Sequence, residues 1–104
     1  MPNIKFSYLY RDGGNYKNYG SVIFENSNGI TLETLNAAIQ SKLIDRTWFY
    51  AEAWGLPDLR TNPFDVETDP TWHEFESVEY TADQATICFS IGYFIEMLVR
   101  TFRY

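Results

Sequence analysis

"IKFSYLYRDGGNYKNYGSVIFEN", residues 4–26, decides the fold. Its opening alternates: Ile4, Phe6, Tyr8 and Tyr10 point one way, and Lys5, Ser7 and Leu9 point the other. That is the period of a strand with one buried face. "SVIFEN", 21–26, is β-branched and aromatic and reads as a second strand. The spacing predicts an antiparallel pair joined across 11–19, a longer loop than a two-residue hairpin turn needs. Gly13 and Gly14 can adopt positive φ there, and Asp12 and Asn15 can hydrogen-bond nearby amides. Tyr16, Lys17 and Tyr19 then project from the loop. "NSNG", 26–29, is turn chemistry that stops the second strand.

Beyond that turn, Thr31 has the character of a helix N-cap, with Glu33 in the positive first turn. Leu32, Leu35, Ile39 and Leu43 recur at helical spacing, which predicts an amphipathic helix over 31–44 lying on the apolar sheet face. "RTWFYAEAWGLPDL", 46–59, fits a short helical turn closing at Gly55 ahead of Pro57, or a short strand at 48–52. Residues 58–71 read as an irregular crossing. "TWHEFESVEY", 71–80, alternates imperfectly and predicts a third strand, at an edge with its charges in water. Ile91, Phe94, Ile95, Leu98, Val99 and Phe102 form a helical stripe, with Glu96 and Arg100 at i,i+4. A helix over 90–102 capped by Ser90 follows, after an extended 84–89; one helix from about 83 is the alternative reading. The expected class is α+β: one domain over 1–104, a small antiparallel sheet with two helices on one face, in the order ββα-irregular-βα.

Composition narrows the function classes. Eight Phe, eight Tyr and three Trp are enough to fill a small core and to line a recognition surface. The formal charge of −6 is concentrated in 58–83, where eight acids face one base, Arg60. No basic stripe exists, so nucleic acid is not an expected partner. No apolar run reaches a membrane span, so no membrane partner is expected. Cys88 is alone in an apolar run and reads as a small buried hydrophobe. Met1-Pro2-Asn3 leads straight into the first strand without a signal-peptide pattern, which predicts a bacterial-type cytoplasm. The apolar 84–104 tail raises the expectation of a homodimer through that segment.

Three word-like stretches carry a resemblance: "YLYRDGGNYKNYG" (8–20), "WGLPDL" (54–59) and "WHEFESVE" (72–79). Over about 3–80 the chain resembles a group of small bacterial proteins with Tyr-Arg-Asp-x-Gly-Asn-Tyr-Lys, Trp-Gly-x-Pro-Asp-Leu and Trp-His-Glu-Phe motifs. That resemblance implies no activity, since the group has no established function. It departs after residue 83, where the apolar "ATICFSIGYF" stands in place of a more acidic tail.

The catalytic motifs are incomplete. "HEFES" lacks the second His of a zinc-protease helix, and a lone His with a lone Cys gives no zinc set. Asp65, Glu67, Asp69, Glu74 and Glu76 lack EF-hand spacing. "LPDL" matches the Pro-Asp of a nuclease core, but the strand after it carries no Lys. "GGN" is no phosphate loop. No cofactor, metal or catalytic residue is therefore expected. The expected function is a non-enzymatic binding or interaction module for a protein partner or a small polar ligand. Its site would bring Arg11, Asp12, Asn15, Tyr16 and Lys17 of the loop to Trp54, Asp58, Trp72, His73 and Glu74 of the aromatic and acidic middle. The alternative is a small hydrolase-like enzyme using Asp12, His73 and Glu74 for acid–base chemistry.

Overall fold

The alternation at the start of the chain yields one apolar row, and the core is built on it. In the computed structural model, which describes residues 2–60 and 70–100, strand β1 is Asn3–Arg11 and buries Ile4, Phe6, Tyr8 and Tyr10. Strand β2, Lys17–Phe24, pairs antiparallel with it from Ile4–Phe24 to Arg11–Lys17. Pairing runs further than the sequence pattern predicted, so the loop is 12–16 rather than 11–19. Asp12 is the reason. Its Oδ1 accepts from the amides of Gly14 and Tyr16, both at 2.9 Å, and its N–H donates to the Tyr16 carbonyl at 3.0 Å. The left-handed position is Asn15 (φ 68), and neither Gly13 nor Gly14 has positive φ. Asn15→Ala is expected to cost about 1–2 kcal/mol more than Asn15→Gly, because alanine keeps a β-carbon in the left-handed region without the local hydrogen bonding of asparagine, whereas glycine has none. Urea unfolding of the two variants reads that difference.

The sheet has four antiparallel strands in the order β2-β1-β4-β3, with β3 at Trp48–Phe49 and β4 at His73–Thr81. With helices α1, Leu32–Gln40, and α2, Ile91–Arg100, the chain is α+β, as its pattern predicted. The third strand read at 71–80 is β4. Its start is interior rather than an edge, since Phe49 and Trp48 pair with His73 and Glu74. Between β1 and β4 the register shifts at Ser7/Tyr8: Ser7 faces Ser77 but Tyr8 faces Phe75, leaving Glu76 as an extra residue. The bulge reverses the strand's facing. Val78 lies opposite Phe6 on one side of it, and Phe75 lies opposite Tyr8 on the other.

Both helices lie on the Ile4–Tyr10 face. Thr31 caps α1 through its side chain, and Leu35 and Ile39 are buried. The helix ends four residues short of the predicted 44, but Leu43 still reaches the core from the turn beyond it. Ser90 Oγ accepts the Tyr93 amide at 3.2 Å and starts α2. Ile91, Phe94 and Leu98 of α2 are buried, and Phe94 rests against both Phe6 and Phe24. Each such buried side chain contributes on the order of 2 kcal/mol of apolar transfer. Val99, placed in the predicted stripe, is exposed. Residues 84–86 have no regular structure and 87–89 bend, rather than forming the expected extended run, and Thr86 bonds Ile23 along the outer edge of β2. In that segment Ile87 and Phe89 pack on the core and the intervening Cys88 faces outward, contrary to the buried position its neighbours suggested. Asp65, Glu67, Asp69 and the helix end expected at Phe102 lie outside the described residues.

Candidate functional site

The 3₁₀ turn Ala51–Trp54 closes at Gly55 (φ 71), as the Gly-then-Pro signal predicted. It drops Trp54 into the core, stacked on Phe49 at 4.5 Å and edge-on to Phe6 and Phe94. Trp54 is therefore a core residue and not the recognition residue read from the sequence. The following residues, 56–60, form a strap over the end of the helix-bearing face. Tyr8 donates to the Pro57 carbonyl at 2.6 Å, Asn18 Nδ2 donates to the Leu59 carbonyl at 2.8 Å, and the Leu59 amide donates to His73 Nε2 at 3.0 Å. Gly20 admits this strap: a β-carbon there would stand 2.7 Å from Leu59 Cδ2.

His73 is fully buried beside the rings of Tyr8, Tyr10 and Phe49. Because Nε2 accepts the Leu59 amide, the ring proton sits on Nδ1, which has no hydrogen-bond partner among the described residues. Burial holds the imidazole below its usual pKa, against the pull of Asp58. Asp58 Oδ1 lies 3.4 Å from Nε2, but the carboxylate is bound to Arg60 through its backbone amide and Nε. The Arg60 hydrogen bond holds Asp58 below the ordinary carboxylate range. Burial, reinforced by Asp58, pushes the Tyr8 phenol up to about 12.

Glu74, one residue on, faces the opposite side of the sheet. It takes Arg11 Nε at 2.7 Å and Nη2 at 3.3 Å, while Arg11 Nη1 donates to Asn15 Oδ1. The Arg11 guanidinium is held above its usual pKa by that Glu74 bond. The loop and the middle of the chain therefore do meet, but on both faces: Arg11 with Glu74 on one, Asn18 with the strap on the other. Arg11, Asp12, Asn15 and Glu74 knit the loop to β4. Tyr16 and Lys17 stand exposed beyond them. The expected single concavity is divided by the sheet, with Asp58, His73 and Trp54 on the helix side and Arg11, Glu74 and Trp72 on the other. The three residues of the hydrolase alternative likewise do not converge. His73 and Glu74 point to opposite faces, and Asp12 is bound to loop amides.

Among the described residues no helix covers the Arg11–Glu74 face. A row of cross-strand neighbours, Tyr19, Leu9, Glu74 and Trp48, crosses all four strands on it. Tyr19 is 58% exposed and Trp72 38%. Next to this row Trp48 and Trp72 meet at 6.0 Å between ring centroids, tilted by 53°. With Ile44, Asp45 and Tyr50 they wall a cleft of about 300 Å³. The individual site residues read from the sequence do not include Ile44, Asp45, Trp48 or Tyr50, although Trp48 and Tyr50 fall within the 48–76 aromatic and acidic segment expected to bind. The available signal was the alternation Trp48-out, Phe49-in, Tyr50-out within the short strand that was read as one of two options. The apolar tail offers less free surface than its composition implied, with Ile91, Phe94 and Leu98 buried in the chain's own core. No described helix is long and apolar enough to cross a membrane. Among the described residues no group of three or more His, Cys, Asp or Glu side chains is arranged to hold a metal ion. No protein-family model, no curated protein and no solved structure matches the chain.

Proposed function

We propose that the chain is a binding module that takes a protein partner on its open sheet face, with no chemistry performed on that partner. The observation that supports this reading is the set of aromatic side chains, exposed Tyr19 and Trp72 and half-buried Trp48, on a sheet face that no helix covers among the described residues, while the other face carries both helices. Large amphipathic rings at a surface are favoured where a partner removes them from water. Rigidity adds to this, because a sheet pinned by the Arg11–Glu74 pair loses little freedom on association. The partner is basic on the side that meets β4, where Glu76 and Glu79 are exposed. We place the encounter in a bacterial cytoplasm, where a free thiol such as that of Cys88 stays reduced. The resemblance to the bacterial group is compatible with this reading, since the Trp and Glu of its Trp-His-Glu-Phe motif correspond here to Trp72 and Glu74.

The test is native mass spectrometry of the protein purified from its host, repeated for a Tyr19→Ser, Trp72→Ser double variant. A retained protein partner is expected with the parent and is lost with the variant, while circular dichroism and melting temperature stay close to the parent's. Retention of the same partner by both proteins would move the interface elsewhere. Turnover of a partner peptide that disappears in His73→Gln would favour the enzymatic alternative.

A further inference from the structure

The cleft beside the open face has a chemistry of its own. Two indoles and a phenol, Trp48, Trp72 and Tyr50, wall it, Ile44 supplies aliphatic surface, and Asp45 stands at its rim. Three aromatic rings around one carboxylate suit a cation: ring faces attract it electrostatically, and the carboxylate neutralises it. The two indoles are tilted rather than stacked, so their faces are not occupied by each other. The Asp45 carboxylate has no hydrogen-bond or ion-pair partner among the described residues.

Local backbone geometry places this carboxylate. Ile44 and Trp48 exchange backbone bonds at 2.8 and 3.0 Å, and the Thr47 amide returns to the Ile44 carbonyl at 3.0 Å. The turn between them holds Asp45 (φ 50) and Arg46 (φ 61) in the left-handed region, the pattern of a tight hairpin turn that normally carries Asn-Gly. A non-glycine pair there is disfavoured on its own, and the Trp48–Phe49 pairing with β4 holds it in place. Asp45 is thereby fixed at the end of the edge strand that supplies Trp48.

We propose that this cleft takes the ammonium group of a lysine side chain on the partner protein, with the methylene stem against Ile44 and the indoles and the charge at Asp45. The inference rests on the binding reading above and names what one of its contacts recognises. The lysine source is favoured over a free small cation by continuity. The cleft opens from the same face as Tyr19 and the Arg11–Glu74 pair, so a chain lying across that face can deliver a side chain into it. The carboxylates Glu76 and Glu79 on β4 suit the basic neighbours of such a lysine.

The experiment is a two-dimensional amide NMR titration of the intact protein that follows the indole N–H resonances of Trp48, Trp54 and Trp72. The probes are Nα-acetyl-lysine amide, its norleucine isostere and tetramethylammonium chloride. The lysine probe is expected to shift the Trp48 and Trp72 indoles saturably and leave Trp54, buried in the core, unmoved. The norleucine probe, which keeps the four-carbon stem but lacks the ammonium group, is expected to bind about tenfold more weakly. Trp72→Leu keeps apolar bulk while removing the ring face and is expected to abolish the response. Asp45→Asn keeps the left-handed turn and is expected to weaken binding several-fold. Equal binding of lysine and norleucine would make the cleft a plain apolar pocket and overturn the proposal. Tighter binding of tetramethylammonium would overturn the lysine assignment in favour of a free cation. An unmoved pair of indoles, together with a partner still lost in the Tyr19→Ser, Trp72→Ser variant, would remove this inference and leave the open-face reading standing. An unmoved pair with a partner retained by that variant would remove both.

Discussion

Trp54→Ala is expected to cost about 3–5 kcal/mol of folding stability, the largest loss from any single tryptophan in the chain. Trp54 lies flat on Phe49 at 4.5 Å and meets Phe6 and Phe94 edge-on, so it joins the 3₁₀ turn, β1, β3 and α2 in one cluster. Truncation removes the transfer energy of an indole and leaves a cavity that four rigid elements cannot collapse to fill. In a domain of this size the melting temperature should fall by more than about 12 °C. Trp54→Phe, which keeps a ring against Phe49, should recover most of the loss. Trp72→Ala serves as the contrast, since its ring is partly in water and outside the core cluster; its cost should stay within about 1 kcal/mol. Thermal unfolding of the three variants decides the assignment, and equal losses for Trp54→Ala and Trp72→Ala would contradict it.

Stability should also fall on mild acidification, and His73 is the cause. The imidazole is buried and held neutral, with Nε2 committed to the Leu59 amide, so the folded chain resists the proton that the unfolded chain accepts at about pH 6.5. Above that pH both states carry a neutral ring and the full stability is present. Below it the unfolded state binds more protons, and stability drops by up to about 1.4 kcal/mol per pH unit until the folded value is passed. The groups facing the ring are Asp58, Arg60 and Glu52 by charge, and Tyr8, Tyr10 and Phe49 by packing. Asp58 opposes the downward shift, but its charge is already held by Arg60. His73→Gln keeps an acceptor for the Leu59 amide and cannot titrate. Its melting temperature should therefore vary less than the parent's between pH 7.5 and 5.5 (the bounds bracket the ordinary histidine value). Equal slopes for parent and variant would assign the acid loss to the carboxylates instead. Asp58 contributes in the same direction but at lower pH, because its stabilising interaction disappears only as pH falls through its own lowered value.

Both expectations depend on which way a side chain faces in β4, and the sequence recorded that only obliquely. "TWHEFESVEY" breaks the period of two between Phe75 and Val78, and the break is the bulge at Glu76. Read as a regular strand, with Val78 and Tyr80 inward, the same residues would turn Glu76, Glu74 and Trp72 toward the core. The extra residue reverses this, so that Phe75 and His73 go in and Glu74 goes out to Arg11. Nothing local to 71–80 says which partner strand accepts the bulge. The loop shows a similar limit. Its composition marked a turn, but whether Gly13, Gly14 or Asn15 takes positive φ depends on how far β1 and β2 zip, and Asp12 fixes that by bonding two amides.

The chain on its own determined what neighbouring residues decide: the alternating first strand, the Thr31 and Ser90 caps, the stop at Gly55 before Pro57, and the apolar stripes of both helices. These depend on interactions within a few residues, so periodicity and capping chemistry reveal them. Tertiary structure alone decided that Trp54 is core and Trp72 is surface, that His73 is sealed under the 56–60 strap, and that Trp48, Tyr50 and Asp45 gather into a cleft. Those outcomes depend on residues that are far apart along the chain and adjacent only once β4 has docked against β1. Strand register and a single bulge set which face each of them occupies, and no short-range pattern encodes that choice.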